Sequence, residues 1–177
     1  MDPGLTPQAL ETLARTTGET LARRGATLAT AESCTGGWVA QCLTAVVGAS
    51  AWFERGFVTY SNAAKVELLD VDPGLLREQG AVSEATAGAM ATGALANSRA
   101  DWALAITGIA GPGGGSPQRP VGTVCFAWAR RQMAGTAALA RVRTRHFDGD
   151  REAIRRQSVA FALRELLALV REETETA

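Results

Sequence analysis

The segment ATLATAESCTGG, residues 26–37, indicates how the chain is built. Its first half, residues 26–31, is a short apolar run of the kind found in buried strands. The polar turn ESCTGG follows, and residues 38–46 then continue as a helix. A strand that passes through a glycine turn into a helix opens a β–α unit, so this segment predicts an α/β fold.

The rest of the chain continues this pattern. Helices separate the first three predicted strands, which favours parallel pairing, whereas the last three strands follow one another closely and favour antiparallel pairing. We predict one domain over residues 1–177, a three-layer α/β/α sandwich with a mixed, mostly parallel sheet of about five strands. The predicted strands are residues 26–31, 53–60, 102–107, 121–129 and 136–147. The predicted long helices are residues 7–24, 38–46, 85–98 and 150–171. Two shorter helices are also predicted, one that carries Lys65 and a second that ends near Gln79.

The composition excludes several classes of protein. Eighteen basic residues balance eighteen acidic ones, so no overall field favours nucleic acid or an anionic membrane. The N-terminal segment does not resemble a signal peptide, and no apolar run reaches the ~20 residues of a membrane helix. Three irregularly spaced cysteines are typical of a reducing cytosol, and we expect a cytoplasmic protein. With His146 as the only histidine and no CxxC motif, we expect no metal or other cofactor.

Three polar, glycine-bearing segments follow the first three strands. They are ESCTGG after the first strand, YSN after the second and TGIAGPGGGS after the third. Ligands of open α/β sheets bind outside the carboxyl ends of the parallel strands. We therefore expect these segments to converge on one site.

Ser33 in ESCTGG is the candidate nucleophile. It lies between a strand end and a helix start, where unpaired backbone N–H groups and the helix dipole favour negative charge. The alternative is that Ser33 or Thr35 is simply the N-cap of the helix. Cys34 is the rival nucleophile, because a thiol at a helix N-terminus can have a lowered pKa, although a buried cysteine is more often structural.

Tyr60 and Lys65 are the candidate activating groups. A serine hydroxyl is weakly nucleophilic until a base takes its proton, and a lysine with a depressed pKa can act as that base with a tyrosine beside it. They are the only tyrosine and the only lysine in the chain. The alternative is a solvated surface lysine and a tyrosine packed in the core.

The glycine-rich loop over residues 108–120 is the third part of the predicted site. Its backbone N–H groups could bind a phosphate or an oxyanion, and Arg119 could add positive charge. It is neither a Walker P-loop nor a GxGxxG motif that opens a helix. A flexible connection between two strands would have a similar composition, and Arg119 could equally be solvated.

Taken together, ATAESCTGG, FVTYSNAAK, GAVS and TGIAGPGGGSPQRPVGTV resemble the CinA C-terminal domain family along nearly the whole chain. The stand-alone members of this family are nicotinamide-nucleotide amidases. The resemblance implies a three-layer α/β/α fold and hydrolysis of the carboxamide of nicotinamide mononucleotide (NMN) to nicotinate mononucleotide and ammonia. It also implies that Ser33 is the nucleophile and that Tyr60 and Lys65 activate it. Longer members carry an N-terminal domain linked to a metal-dependent pyrophosphatase, and we do not expect that activity of this chain.

These inferences combine into one mechanistic hypothesis. Lys65, helped by Tyr60, takes the proton of Ser33, and backbone N–H groups hold the oxyanion after attack on the amide carbon. The expected partner is a small nucleotide substrate, with no nucleic acid or membrane, and a homo-oligomer is left open. The predicted substrate-binding residues are Thr35, Gly36, Gly37, Asn62, Thr107, Gly108, Gly111, Gly113, Gly114 and Arg119.

Two other functions remain open from the sequence. A non-catalytic nucleotide-binding or regulatory domain would bind nucleotide through the same glycine loops without releasing ammonia. A cysteine amidohydrolase would use Cys34, would be inactivated by iodoacetamide and would tolerate Ser33→Ala.

Overall fold

The structure is a computed structural model that describes residues 5–132 and 135–172. The ends of the predicted domain, residues 1–4 and 173–177, lie outside the described residues. The elements in chain order are α1 (Pro7–Ala22), β1 (Leu28–Glu32), α2 (Trp38–Thr44), β2 (Phe53–Val58), α3 (Asn62–Leu69), α4 (Pro73–Gln79), α5 (Glu84–Ala96), β3 (Trp102–Gly108), β4 (Thr123–Arg131), β5 (Ala137–His146) and α6 (Arg151–Glu172).

The five strands form one sheet in the order β2-β1-β3-β4-β5. β1 pairs in parallel with both β2 and β3, whereas β4 pairs antiparallel with β3 and with β5. The mixed sheet and the predicted direction of each pairing are therefore confirmed, with parallel pairing in two of the four strand contacts. The carboxyl ends of β1, β2 and β3 meet at one edge of the sheet.

The helices cover both faces of the sheet, which confirms the three-layer arrangement. One core contains α1, α2 and α6 with large side chains of the sheet, among them Leu104, Phe126 and Trp128. The other core contains α3, α4 and α5 against a sheet face built from small residues. That second face consists of Ala29, Ala31, Ala103, Ala105, Cys125, Ala127 and Ala129.

Several element bounds differ from the prediction, and two of the differences affect the site. β2 ends at Val58 rather than at Tyr60, so Thr59 and Tyr60 belong to the turn before α3. The N-cap of α2 is Gly37, whose φ of 92° is left-handed, and it makes no side-chain cap. Neither Ser33 nor Thr35 is therefore the N-cap, and that alternative is wrong.

No helix within residues 5–132 or 135–172 is both long and apolar enough to span a bilayer.

Candidate active site

Ser33 and Lys65 meet at the carboxyl edge of the sheet. The Lys65 ammonium nitrogen donates to the Ser33 hydroxyl oxygen at 3.1 Å, although the two residues lie 32 positions apart. Lys65 is 1% exposed and Ser33 is 8% exposed. The predicted pairing of the strand-end hydroxyl with the only amine side chain thus has a direct geometric basis.

Local structure explains how Lys65 reaches this position. Ser61 is the N-cap of α3, and its hydroxyl accepts from the Ala64 N–H at 3.0 Å. The helix therefore begins beside the end of β2 and carries Lys65 into the interior in its first turn. There the Lys65 amine also donates to the Thr59 carbonyl at 2.9 Å.

Burial lowers the pKa of Lys65 below its ordinary value of 10.5. Removing an ammonium group from water penalises the charged form, and no carboxylate forms an ion pair with Lys65 among the described residues. A neutral lysine keeps a lone pair, so it can donate to Thr59 and accept the Ser33 proton. In that form the amine is chemically able to act as a base toward the hydroxyl.

The turn that carries Ser33 is fixed by backbone hydrogen bonds. The Ser33 N–H donates to the Ile106 carbonyl on β3 at 2.9 Å, and the Gly36 N–H donates to the Ser33 carbonyl at 3.0 Å. Gly36 and Gly37 have φ values of 63° and 92°, which favour glycine. Among the described residues, no acceptor engages the N–H of Thr35 or of Gly37.

Glu32 is a part of this region to which the sequence analysis gave no role. It is 1% exposed, and its carboxylate accepts from the N–H of Val39 at 3.0 Å and of Ala40 at 2.9 Å. A carboxylate on the last residue of β1 thus satisfies the first turn of α2, where Gly37 offers no side chain. The signal that could have identified it is a glutamate at the end of the strand before a helix whose start, at Gly36 and Gly37, offers no capping side chain.

Cys34 lies in the core. It is 6% exposed within the cluster formed with α1, α2 and α6. Burial raises the pKa of its thiol to about 12. This environment opposes formation of a thiolate at neutral pH.

Tyr60 is not brought to the Ser33–Lys65 pair. Tyr60 is 62% exposed, and its hydroxyl accepts from the Arg151 guanidinium at 3.1 Å. No hydrogen bond of the described residues joins Tyr60 to Ser33 or Lys65. Because β2 ends at Val58, the Tyr60 side chain lies at the surface beside the start of α6.

Two of the predicted binding side chains are engaged elsewhere. The Thr107 hydroxyl is buried and donates to the Ala81 carbonyl at 2.7 Å. The Arg119 guanidinium donates to the Gln79 carbonyl at 2.9 Å, so it ties the glycine loop to the end of α4. Both contacts brace the connection between α4 and α5.

The other predicted binding residues divide by exposure. Asn62, Gly113 and Gly114 are exposed, whereas Gly108 is half-buried at the end of β3 and Gly111 is buried. The Gly111 carbonyl accepts from the Arg151 guanidinium at 2.7 Å. Arg151 thereby connects the glycine loop with Tyr60.

Arg155, one helical turn after Arg151, is a second arginine that the sequence analysis did not identify. It donates to the Thr35 carbonyl at 2.7 Å, and its guanidinium carbon lies 5.2 Å from the centre of the Trp38 ring. Arginines on the last helix carried no local signal, because only the fold brings them to residues more than a hundred positions earlier.

An open cleft of about 510 Å³ lies beside the Ser33 turn, lined by Gly36, Gly37, Trp38, Gln41, Glu152 and Arg155. Within the part of the chain that the structure describes, no group of three His, Cys, Asp or Glu side chains is placed to hold a metal ion.

Comparison with known proteins places the chain in a family. The sequence model of that family, described as the CinA C-terminal domain, matches residues 10–170. The chain is 52% identical over 162 residues to "Nicotinamide-nucleotide amidohydrolase PncC" of Escherichia coli, covering 92% of this chain and 95% of that protein. It is 50% identical over 169 residues to the protein of the same name from Pseudomonas putida, covering 96% and 98%.

Solved structures agree with these sequence relatives. The competence/damage inducible protein CihA from Agrobacterium tumefaciens superposes with a TM-score of 0.83 at 47% identity, covering 90% of this chain and 94% of that one. The family match over most of the chain, with identities near one half, shows that the chain belongs to the CinA C-terminal domain family.

Proposed function

We propose that this chain hydrolyses the carboxamide of nicotinamide mononucleotide to nicotinate mononucleotide and ammonia, with Ser33 as the nucleophile. The names of relatives about 50% identical along nearly their whole length support the reaction. The observation that carries the serine assignment is the buried Lys65 amine, 3.1 Å from the Ser33 hydroxyl.

The first step is activation of the serine. Lys65 in its neutral form takes the Ser33 proton while it still donates to the Thr59 carbonyl. The Ser33 oxygen then forms a bond to the amide carbon of the substrate, and the carbonyl oxygen becomes an oxyanion. The N–H groups of Thr35 and Gly37, which have no acceptor among the described residues, are the proposed donors to that oxyanion.

The second step is collapse of the tetrahedral intermediate. The carbon–nitrogen bond breaks, and the Lys65 ammonium returns its proton so that the nitrogen leaves as ammonia. A water molecule then attacks the acyl-enzyme ester, with Lys65 again taking a proton. Nicotinate mononucleotide leaves as Ser33 recovers its hydrogen, which restores both residues to their starting state.

The nucleotide phosphate is proposed to bind at the glycine loop. Gly113 and Gly114 are exposed there, and Arg151 is anchored on the adjacent Gly111 carbonyl. Backbone N–H groups with a neighbouring guanidinium suit a phosphate dianion. Arg119 remains a predicted contact, although part of its guanidinium is engaged by Gln79.

Tyr60 remains a predicted catalytic residue, but its position favours action from the mouth of the site. Its hydroxyl accepts a hydrogen bond from Arg151, and the residue is 62% exposed. In this proposal Tyr60 contacts the nucleotide that Arg151 holds, and Lys65 alone receives the Ser33 proton.

The cysteine alternative is less compatible with the geometry. A thiol whose pKa is raised to about 12 by burial holds its proton at neutral pH. A purely nucleotide-binding domain would also leave unexplained a lysine that is buried against a hydroxyl, since burial of an ammonium group is unfavourable.

The test is ammonia release from nicotinamide mononucleotide by the purified chain, in parallel with Ser33→Ala and Cys34→Ala. We expect Ser33→Ala to reduce kcat by at least about a thousandfold, as removal of other serine nucleophiles does. Cys34→Ala should retain activity within a few fold, and a chelator should leave the wild-type rate unchanged.

Binding of the nucleotide without ammonia release would favour the non-catalytic alternative. Activity that survives Ser33→Ala but is lost on treatment with iodoacetamide would favour the cysteine alternative. Unchanged melting temperatures for both variants would exclude loss of the fold as the cause of either result.

A further inference from the structure

We propose that Arg155 is a positioning residue that holds the turn after Ser33 in the geometry needed for reaction. This inference rests on the proposed function, because it concerns the same turn and the same nucleophile. Arg155 acts through the Thr35 backbone rather than on the substrate.

The peptide group between Thr35 and Gly36 is fixed on both sides. Its carbonyl accepts from the Arg155 guanidinium at 2.7 Å, and its N–H donates to the Ser33 carbonyl at 3.0 Å. A charged donor forms a stronger hydrogen bond than a neutral one, and it polarises the peptide that it contacts. These two hydrogen bonds therefore hold the plane of the peptide group in one orientation.

The fixed peptide lies between two amides for which no acceptor is present among the described residues. These are the N–H groups of Thr35 and Gly37, the proposed oxyanion donors. Gly36 and Gly37 are flexible residues, with φ values of 63° and 92°, so the turn would otherwise have several conformations. Donors stabilise a developing oxyanion only when they are already oriented, because reorientation costs part of the stabilisation.

Arg155 is itself held in place. Its guanidinium lies over the Trp38 ring at 5.2 Å, and Trp38 is the first residue of α2. Stacking on an indole and a planar donor geometry are properties of arginine that lysine lacks. A lysine at this position could contact the Thr35 carbonyl but could not keep the same stacked arrangement.

The competing interpretation is that Arg155 binds the substrate phosphate. Its Nε is buried and has no acceptor among the described residues, and the side chain lines the open cleft. The two roles make different predictions for a substrate without a phosphate. A positioning residue affects kcat for every carboxamide substrate, whereas a phosphate ligand affects the KM of the phosphorylated substrate.

The experiment compares Arg155→Met and Arg155→Lys with Arg164→Met, an exposed arginine on the same helix. Steady-state ammonia release is measured with nicotinamide mononucleotide and with nicotinamide riboside, which has the same carboxamide and no phosphate. We expect Arg155→Met to lower kcat by about 10–100-fold with both substrates and to change KM by less than about threefold. Arg155→Lys should recover part of the loss, and Arg164→Met should behave as wild type.

A second measurement serves if the riboside is too poor a substrate. This measurement is the rate at which phenylmethanesulfonyl fluoride modifies Ser33, followed by mass spectrometry. The reaction depends on the same turn and involves no phosphate. It should fall in Arg155→Met in parallel with kcat. Thermal unfolding of each variant identifies any change that reflects loss of the fold.

A rise in KM for the mononucleotide alone, with an unchanged rate of Ser33 modification, would overturn the positioning role. So would an unchanged kcat in Arg155→Met. Failure of the proposed function would instead appear as a wild-type protein that releases no ammonia, so the two failures are distinguishable.

Discussion

The buried Lys65 ammonium group, in contact with Ser33, is a stronger acid than the ammonium group of a lysine in water. Lys65 is 1% exposed, and burial lowers its pKa below 10.5. In the proposed mechanism only neutral Lys65 can accept the Ser33 proton. We therefore predict that kcat/KM rises with pH and levels off above a midpoint that lies below 10.5. The profile should be recorded above pH 7, because the substrate phosphate titrates near pH ~6.

Stability provides a control for this titration. Between the lowered pKa of folded Lys65 and 10.5, the unfolded chain binds a proton that the folded chain does not. The free energy of unfolding therefore rises with pH through this window, and Lys65→Met should remove that part of the dependence. Lys65→Arg should be inactive at every pH, since arginine does not deprotonate there. A midpoint at or above 10.5 would contradict the prediction.

Local sequence patterns explain how Ser33 and Lys65 come to lie together. Ser33 and Lys65 each follow a strand that local patterns predicted, and parallel pairing brings those strand ends together. Arg151 and Arg155 could not be found in this way, because they lie on α6 and contact residues 40 to 120 positions earlier in the chain. Tyr60 was given a place beside Lys65, but a strand two residues shorter than predicted leaves its ring at the surface.

At the scale of elements, α2 depends on a residue outside itself. Glu32 at the end of β1 accepts from two N–H groups of the first turn of α2, and Gly37 cannot supply a side-chain cap. We predict that Glu32→Gln lowers the free energy of unfolding by about 2 kcal/mol, because a neutral amide leaves one buried N–H without an acceptor. Thermal unfolding should show a melting temperature roughly 4–8 °C lower.

The matched control is Glu67→Gln, since Glu67 is an exposed glutamate on α3. It should change the melting temperature by less than about 1–2 °C, which is typical of surface substitutions. Equal effects of the two variants would mean that the Glu32 contacts contribute little to stability.

Element boundaries illustrate the limits of local patterns. Types and order were predictable, because apolar periodicity and glycine turns mark each element. The start of β4 was predicted at residue 121 but lies at Thr123, because the Thr123 N–H donates to the Pro120 carbonyl in a turn and the Gly122 N–H donates across to the Ile109 carbonyl. Such contacts join residues distant in sequence, so no local pattern reveals them.

At the scale of the whole molecule, the two faces of the sheet differ in the size of their side chains. Alanines and Cys125 form the face under α5, whereas the opposite face carries Trp128 and Phe126. A face of small residues allows a helix to approach closely, and α5 is itself rich in alanine and glycine. The helix that carries Lys65 contacts α5 from the side. The close packing of α5 on this small-residue face therefore sets the position of α3 relative to the sheet.

The glycines of α5 test this dependence on close approach. A Cβ added at Gly93 would collide with the Leu69 carbonyl oxygen at the end of α3, where the backbone cannot move aside easily. A Cβ at Gly88 would meet only the half-exposed Leu139 side chain, at 3.2 Å. The two positions share one helix and differ in what surrounds them.

We predict that Gly93→Ala destabilises the protein by roughly 2 kcal/mol, because overpacking outweighs the gain of about 1 kcal/mol in helix propensity. Gly88→Ala should be neutral or stabilise by up to about 1 kcal/mol, since Leu139 can rotate away. Chemical denaturation of both variants measures these changes. Ammonia release should fall only in Gly93→Ala, because a displaced α3 moves Lys65 away from the Ser33 hydroxyl; equal stability of the two variants would show that α5 does not set the position of α3.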